Sequence, residues 1–259
     1  MIIDRLKMTT TIAIAGKGGS GKTTIAALLI KLLSQKGAVL AIDADPATNL
    51  NLVLGLPLSD SVGKVREEMA AKVKARTMEP GLSKQDYLDM KISEALVESP
   101  QIDLLAMGRP EGAGCYCAAN SMIRTCIDRL GKNYDYVVID CEAGMEHISR
   151  QTTRDIDIML LVSDLTVRGI FTAANMKALI KELRTHAGKI YLIVNRASSP
   201  LPPKIARMIE EASLQVIGLI PEDQEIKELE AEGTPLIELP PGSQLQKGVL
   251  GIALKLGLL

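Results

Sequence analysis

The run Gly16-Lys17-Gly18-Gly19-Ser20-Gly21-Lys22-Thr23-Thr24 matches G-x-x-x-x-G-K-[ST], the pattern of a phosphate-binding loop. The flanks suit it. Thr11–Ala15 reads as a buried strand and Thr24–Leu33 as a helix. Glycines let the backbone curl so that successive N–H groups face one anion. The helix N-terminus adds the positive end of its dipole. At this spacing Lys22 reaches the β and γ phosphates of a nucleotide, and the Thr23 hydroxyl holds Mg²⁺. A strand, this loop and a helix commit the chain to an α/β design.

Further along, short apolar runs alternate with amphipathic stretches. Strands are expected at Ala38–Ile42, Ile102–Met107, Tyr136–Asp140, Asp157–Val162, Ile190–Val194 and Val216–Ile220. Helices are expected at Val62–Val73, Tyr87–Val97, about Asn120–Leu130, Thr172–Arg184, Ile205–Ala212 and Ser243–Leu259. The predicted fold is a doubly wound, mainly parallel sheet flanked by helices. We expect one ATPase domain over residues 1–259, with a short extension at 1–8, a helical insertion at 57–101 and a C-terminal helix at 243–259. Met8 is an alternative start.

Parallel strands deliver ligand-binding residues at their C-terminal ends. Asp43 follows the second strand, in Asp43-Ala44-Asp45-Pro46. Asp140 ends another buried strand, placed for a carboxylate held near Mg²⁺ through water. Gly144, just beyond it, would let a backbone N–H meet the γ phosphate. The bland reading of Asp45 is a helix cap.

Composition narrows the partners. Lys plus Arg is 30 against 31 for Asp plus Glu, so no basic footprint marks the chain for nucleic acid. Trp is absent and Phe171 is the only Phe, which gives little support to aromatic stacking on single-stranded nucleic acid. No apolar run approaches the roughly 18 residues of a membrane span, and the tail lacks the basic face of a membrane-lying helix. The start is too short and charged for a signal peptide. Four cysteines without such a signal read as cytoplasmic thiols.

Cys115 and Cys117 are separated by one residue, ahead of a helix that would favour thiolate. A tetrahedral thiolate site needs four ligands. Cys126, nine residues after Cys117, would stand roughly 13 Å along a continuous helix at about 1.5 Å per residue. Two idle thiols are one reading. The other is the same pair from each of two subunits, giving Cys₄ on a two-fold axis.

The loop with its extra Lys17 resembles the deviant P-loop of the MinD, ParA and nitrogenase iron protein superfamily. That resemblance implies a nucleotide-sandwich homodimer in which Lys17 reaches the neighbour's nucleotide. It implies that Asp45, in switch I, positions the attacking water, that Asp43 supports the Mg²⁺ shell, and that residues 141–144 open switch II. It also implies that Asn195, with Arg196 beside it, reads the adenine edge while Pro221 walls the base. Together with Cys115-Tyr116-Cys117 and the run from Asp140 to Arg150, containing Glu146-His147, the whole chain looks like the CooC-type ATPases. Those are accessory proteins for nickel insertion into carbon monoxide dehydrogenase, and relatives act on acetyl-CoA synthase. The resemblance implies ATP, Mg²⁺ and Ni²⁺ or Zn²⁺ as cofactors or cargo, with Cys115 and Cys117 as metal ligands across the dimer. Alternatives are a [4Fe–4S] electron-transfer ATPase, for which Cys₄ is equally apt, a positioning ATPase on membrane or DNA, and a slow regulatory switch.

Overall fold

Strands buried on both faces need apolar side chains at nearly every position, as in the first four strands and the inner halves of the longer strands, and the seven strands all pair in parallel. The computed structural model describes residues 9–58, 60–109, 117–142, 155–182, 186–239 and 242–259. Its strands are β1 (Thr10–Gly16), β2 (Val39–Asp43), β3 (Ile102–Ala106), β4 (Tyr136–Asp140), β5 (Asp155–Asp164), β6 (His186–Asn195) and β7 (Val216–Ile220). They form one sheet in the order β3-β2-β4-β1-β5-β6-β7. Successive strand residues face opposite sides. Ile12 and Ile14 enter one apolar layer, while Ala13 and Ala15 enter the other.

The first layer is closed by α1 (Lys22–Leu33), α2 (Leu50–Leu54), a short 3₁₀ turn (Leu236–Glu238) and α9 (Gln244–Lys255). Leu28, Leu29 and Ile30 of α1 are fully buried there, and Leu245, Val249 and Ile252 of α9 pack beside them. The second layer lies under α3 (Val62–Ala75), α4 (Lys84–Ala95), α5 (Cys117–Gly131), α6 (Val167–Glu182) and α7 (Pro203–Glu211). The remaining helix, α8 (Gln224–Glu232), places Ile226 and Leu229 against the first layer. Among the described residues no helix is long and apolar enough to cross a membrane.

The main departures from expectation concern four helices. α2 and α8 were not predicted. The helix expected to end at Val97 stops at Ala95, and Val97 instead forms an antiparallel bridge to Leu104. α6 starts at Val167 rather than Thr172, because the Thr166 hydroxyl accepts the Gly169 N–H at 3.0 Å and caps the first turn.

The register fixes what meets at the sheet's C-terminal edge. Asp140 lies level with Asp43 on β2 and with Ile14 on β1. Gly16 lies level with Val162, and Asp164 with Asn195, which is itself level with Ile220. β1 therefore ends at the centre of that edge, flanked by acids.

Candidate nucleotide site

The loop after β1 runs close to its neighbours. A Cβ on Gly16 would sit 2.1 Å from the Val162 carbonyl oxygen, so no other residue fits there. Gly21 has φ 93°, a left-handed conformation natural to glycine, and forms the N-cap of α1 without a side-chain cap. The first turn of α1 holds no acid. Its N–H groups and dipole thus face the loop uncompensated, as an anion site requires. Lys22 is 92% withdrawn from solvent, its exposure being 8%, and its Nζ arches back to the Lys17 carbonyl oxygen at 3.4 Å. The Ser20 hydroxyl is buried with no hydrogen-bond partner among the described residues.

On one side of the loop stand the carboxylates. The Thr23 hydroxyl donates to Asp140 Oδ2 at 2.6 Å. Asp140 Oδ1 is buried and has no partner among the described residues. Burial pushes the Asp140 carboxyl up to about 7; the Thr23 hydroxyl opposes this and the Asp43 charge adds to it. Burial likewise raises Asp43 to about 6, against the N–H groups of Leu50 and Asp45 that it accepts at 2.9 and 3.0 Å. Asp43 thereby shapes the turn that carries Asp45 and starts α2. Asp45 Oδ1 accepts the Ala47 N–H at 2.8 Å, closing a turn rather than capping a helix, and the residue is half-buried. An unpartnered buried carboxylate oxygen beside a hydroxyl is a hard-oxygen donor set, and it fits Mg²⁺.

On the other side stand polar groups that are already engaged. Asn195 is 6% exposed. Its Nδ2 donates to the Ser20 carbonyl oxygen at 2.9 Å, and its Oδ1 accepts the Arg196 N–H at 3.0 Å. Arg196 donates from its guanidinium to the Gly19 carbonyl oxygen at 3.3 Å. A small cavity of about 60 Å³ adjoins them, lined by Gly21, Thr24, Asn195, Arg196 and Pro221 among others. The residues expected at the base thus share one recess, with Asn195 turned toward the loop.

Lys17 pairs with Asp164 at 3.6 Å, both groups partly exposed. Asp164 was not singled out from sequence, where the expected strand ends at Val162. The signal was available: β2, β4 and β5 all end in Asp at this edge. A cleft of about 530 Å³ opens beyond Asp45, between Pro46–Thr48, the start of α3 and Arg109.

Cys115 and Gly144, with Glu146 and His147, lie outside the described residues. Cys117 is the first residue of α5, and that helix runs unbroken to Gly131, past Cys126. Cys126 is buried against the Gln85 amide at 3.0 Å, and burial pushes its thiol up to about 11. Cys141 is also buried, and its thiol is raised by burial. Among the described residues no three His, Cys, Asp or Glu side chains are grouped to hold a metal.

The profile of the CobQ/CobB/MinD/ParA nucleotide-binding domain matches residues 11–236. An uncharacterised ATP-binding protein of Methanocaldococcus jannaschii is 44% identical over 95% of this chain and 97% of its own. The carbon monoxide dehydrogenase accessory protein CooC of Rhodospirillum rubrum is 32% identical over 94% of this chain and 95% of its own. Among solved structures, a ParA family ATPase from Chlorobium tepidum superposes with a TM-score of 0.71 at 22% identity, covering 96% of this chain and 98% of its own. MinD from Pyrococcus horikoshii, complexed with Mg-ADP, gives 0.67 at 22% identity and 96% coverage of both chains. These last two likenesses establish the fold.

Proposed function

This chain belongs to the CobQ/CobB/MinD/ParA nucleotide-binding family and is an ATP-binding ParA/MinD-type ATPase, and from that premise we propose that it is a dimerising metallochaperone that spends ATP to assist nickel insertion into carbon monoxide dehydrogenase. The observation that carries this reading is the match to CooC over nearly the full length of both chains. The Cys115-Tyr116-Cys117 pair supplies the chemistry that cargo would need.

Each residue has a role in this reading. Lys22 and the loop N–H groups hold the phosphates. Thr23 and Asp140 hold Mg²⁺, with Asp43 behind them; the ion neutralises the phosphates and the buried acids together. Asp45 orients the attacking water. Lys17 leaves Asp164 and reaches the partner subunit's nucleotide, and Gly144 meets the γ phosphate. Arg196 and Pro221 border the base. Cys115 and Cys117 from both subunits hold one Ni²⁺ or Zn²⁺ on the shared axis. Pro46–Thr48, in switch I, and Arg109, which precedes the cysteine pair in sequence, line the same cleft, and in this reading movement of the first segment is felt by the second, coupling nucleotide state to metal.

Metal analysis of the Cys115→Ser and Cys117→Ser variants tests the reading. The native protein is expected to carry one nickel or zinc per two chains, and each variant to lose it with its fold intact. Unchanged metal in the variants would remove the thiolate site, and no metal in the native protein under any nucleotide would remove the metallochaperone.

A further inference from the structure

The recess beside the loop, at about 60 Å³, is well below the roughly 300 Å³ at which ligand pockets begin, so a nucleotide base enters it only as its wall gives way. That wall is built by the segment after β7 and by two helix starts: Pro221, Asp223, Ile226 of α8 and Leu245 of α9 all line it. The two helices are held differently. α9 lies flush on β7. A Cβ on Gly218 would come 2.6 Å from Ile252 Cγ1, one on Gly248 would come 3.1 Å from Ile220 Cγ1, and Leu245 is buried. α8 meets the same layer through Ile226 and Leu229, both only partly buried.

Asp223 joins the two. One of its carboxylate oxygens accepts the Glu225 N–H of α8 at 3.1 Å, and the other accepts the Leu245 N–H of α9 at 2.9 Å. First-turn N–H groups have no partner inside their own helix, and each helix brings the positive end of its dipole to the shared charge. We infer that Asp223 is a positioning residue for the nucleotide base: it pins the yielding wall, α8, to the fixed one, α9, and so sets how far the recess opens. This rests on the ATP-binding reading above. α9 has a second cap, since the Ser243 hydroxyl accepts the Gln246 N–H at 3.1 Å. Loss of Asp223 therefore falls on the junction between the helices and on the start of α8, and leaves α9 seated on β7.

Removing the pin costs the base and spares the phosphates. Binding of ATP, ADP and inorganic tripolyphosphate, each with Mg²⁺, is measured for native protein and for Asp223→Ala. Hydrogen exchange at the Glu225 and Leu245 amides is followed in parallel. ATP and ADP are expected to weaken by about tenfold in the variant, the worth of one hydrogen bond to a charged group. Tripolyphosphate stays within about twofold of native on the same scale. Mg-ATP is expected to slow exchange at both amides in native protein, and this slowing is absent from the variant. An equal loss for all three ligands would reduce Asp223 to a structural role. A selective loss of ATP and ADP with the slowing retained would make its carboxylate a direct contact of the base. Either result, or undiminished affinity for all three, would overturn the inference. Should Asp223→Ala fail to fold, Asp223→Asn, which keeps one acceptor, decides by the same criteria. A native protein that binds none of the three ligands defeats the ATP-binding reading instead, and is thereby distinguished.

Discussion

The two sides of the phosphate-binding loop are finished to different degrees. On the Asn195 side the Ser20 and Gly19 carbonyls are each held, and the Arg196 N–H is received. On the Asp140 side two buried carboxyls stand level on adjacent strands, each raised toward neutrality, and Asp140 Oδ1 has no partner among the described residues. Hydrogen bonds that hold successive carbonyls restrain the loop, whereas clustered, desolvated acids destabilise the fold until a cation arrives. The loop is anchored on one flank and left electrostatically incomplete on the other. This is the arrangement expected of a site whose state is set by Mg-nucleotide.

The contrast is broken most severely at Lys22. Lys22 is buried and its charge opposes the upward shift of Asp140, and Lys22→Ala is expected to weaken ATP by more than about a hundredfold, since charge-assisted contacts to phosphate are among the strongest available. Isothermal titration reads this directly, and native affinity in the variant would refute the loop's role.

The acid side has a pH signature. The carboxyl of Asp140, at about 7 when folded, binds its proton more tightly in the native than in the unfolded chain. The native state therefore holds more protons between the ordinary carboxylate range and pH ~7, and stability falls as pH rises through that window. In metal-free, nucleotide-free protein the melting temperature is expected to drop from pH ~5 to pH ~7. Asp140→Asn should flatten the drop while reducing Mg²⁺-dependent hydrolysis. A profile that rises over the same window in native protein would contradict the electrostatic account.

The smallest effect belongs to the Lys17–Asp164 pair. At 3.6 Å and partly exposed on both sides, it contributes at most about 1 kcal/mol. Asp164→Asn should leave the melting temperature nearly unchanged while releasing Lys17 for the partner subunit. A large loss of stability would show that Asp164, which also accepts the Thr166 hydroxyl at 2.6 Å, serves the fold more than the lysine.

Much of this was legible in the residues because local chemistry dictates it. The loop motif, the acids ending β2 and β4, and the apolar runs each state their own structure. What sequence hid is tertiary. α2 is a five-residue helix with no side-chain cap of its own, and its first N–H is received by Asp43. α8 looks like an acidic surface run until Asp223, accepting the Glu225 N–H at 3.1 Å and the Leu245 N–H at 2.9 Å, ties it to α9. Asn195 carries a family role in sequence, and only the fold shows its amide turned to the loop. Cys126 illustrates the reverse: helical rise alone separated it from Cys117, and the unbroken α5 agrees.

The central claim is that closing on ATP joins two chains and sets the metal between them. Light-scattering mass and bound nickel, measured together with ADP, with a non-hydrolysable ATP analogue and without nucleotide, test it most directly. The account predicts a dimer holding one metal per two chains, with metal content that changes between nucleotide states. A single chain in every condition, or a metal content indifferent to nucleotide, would contradict it.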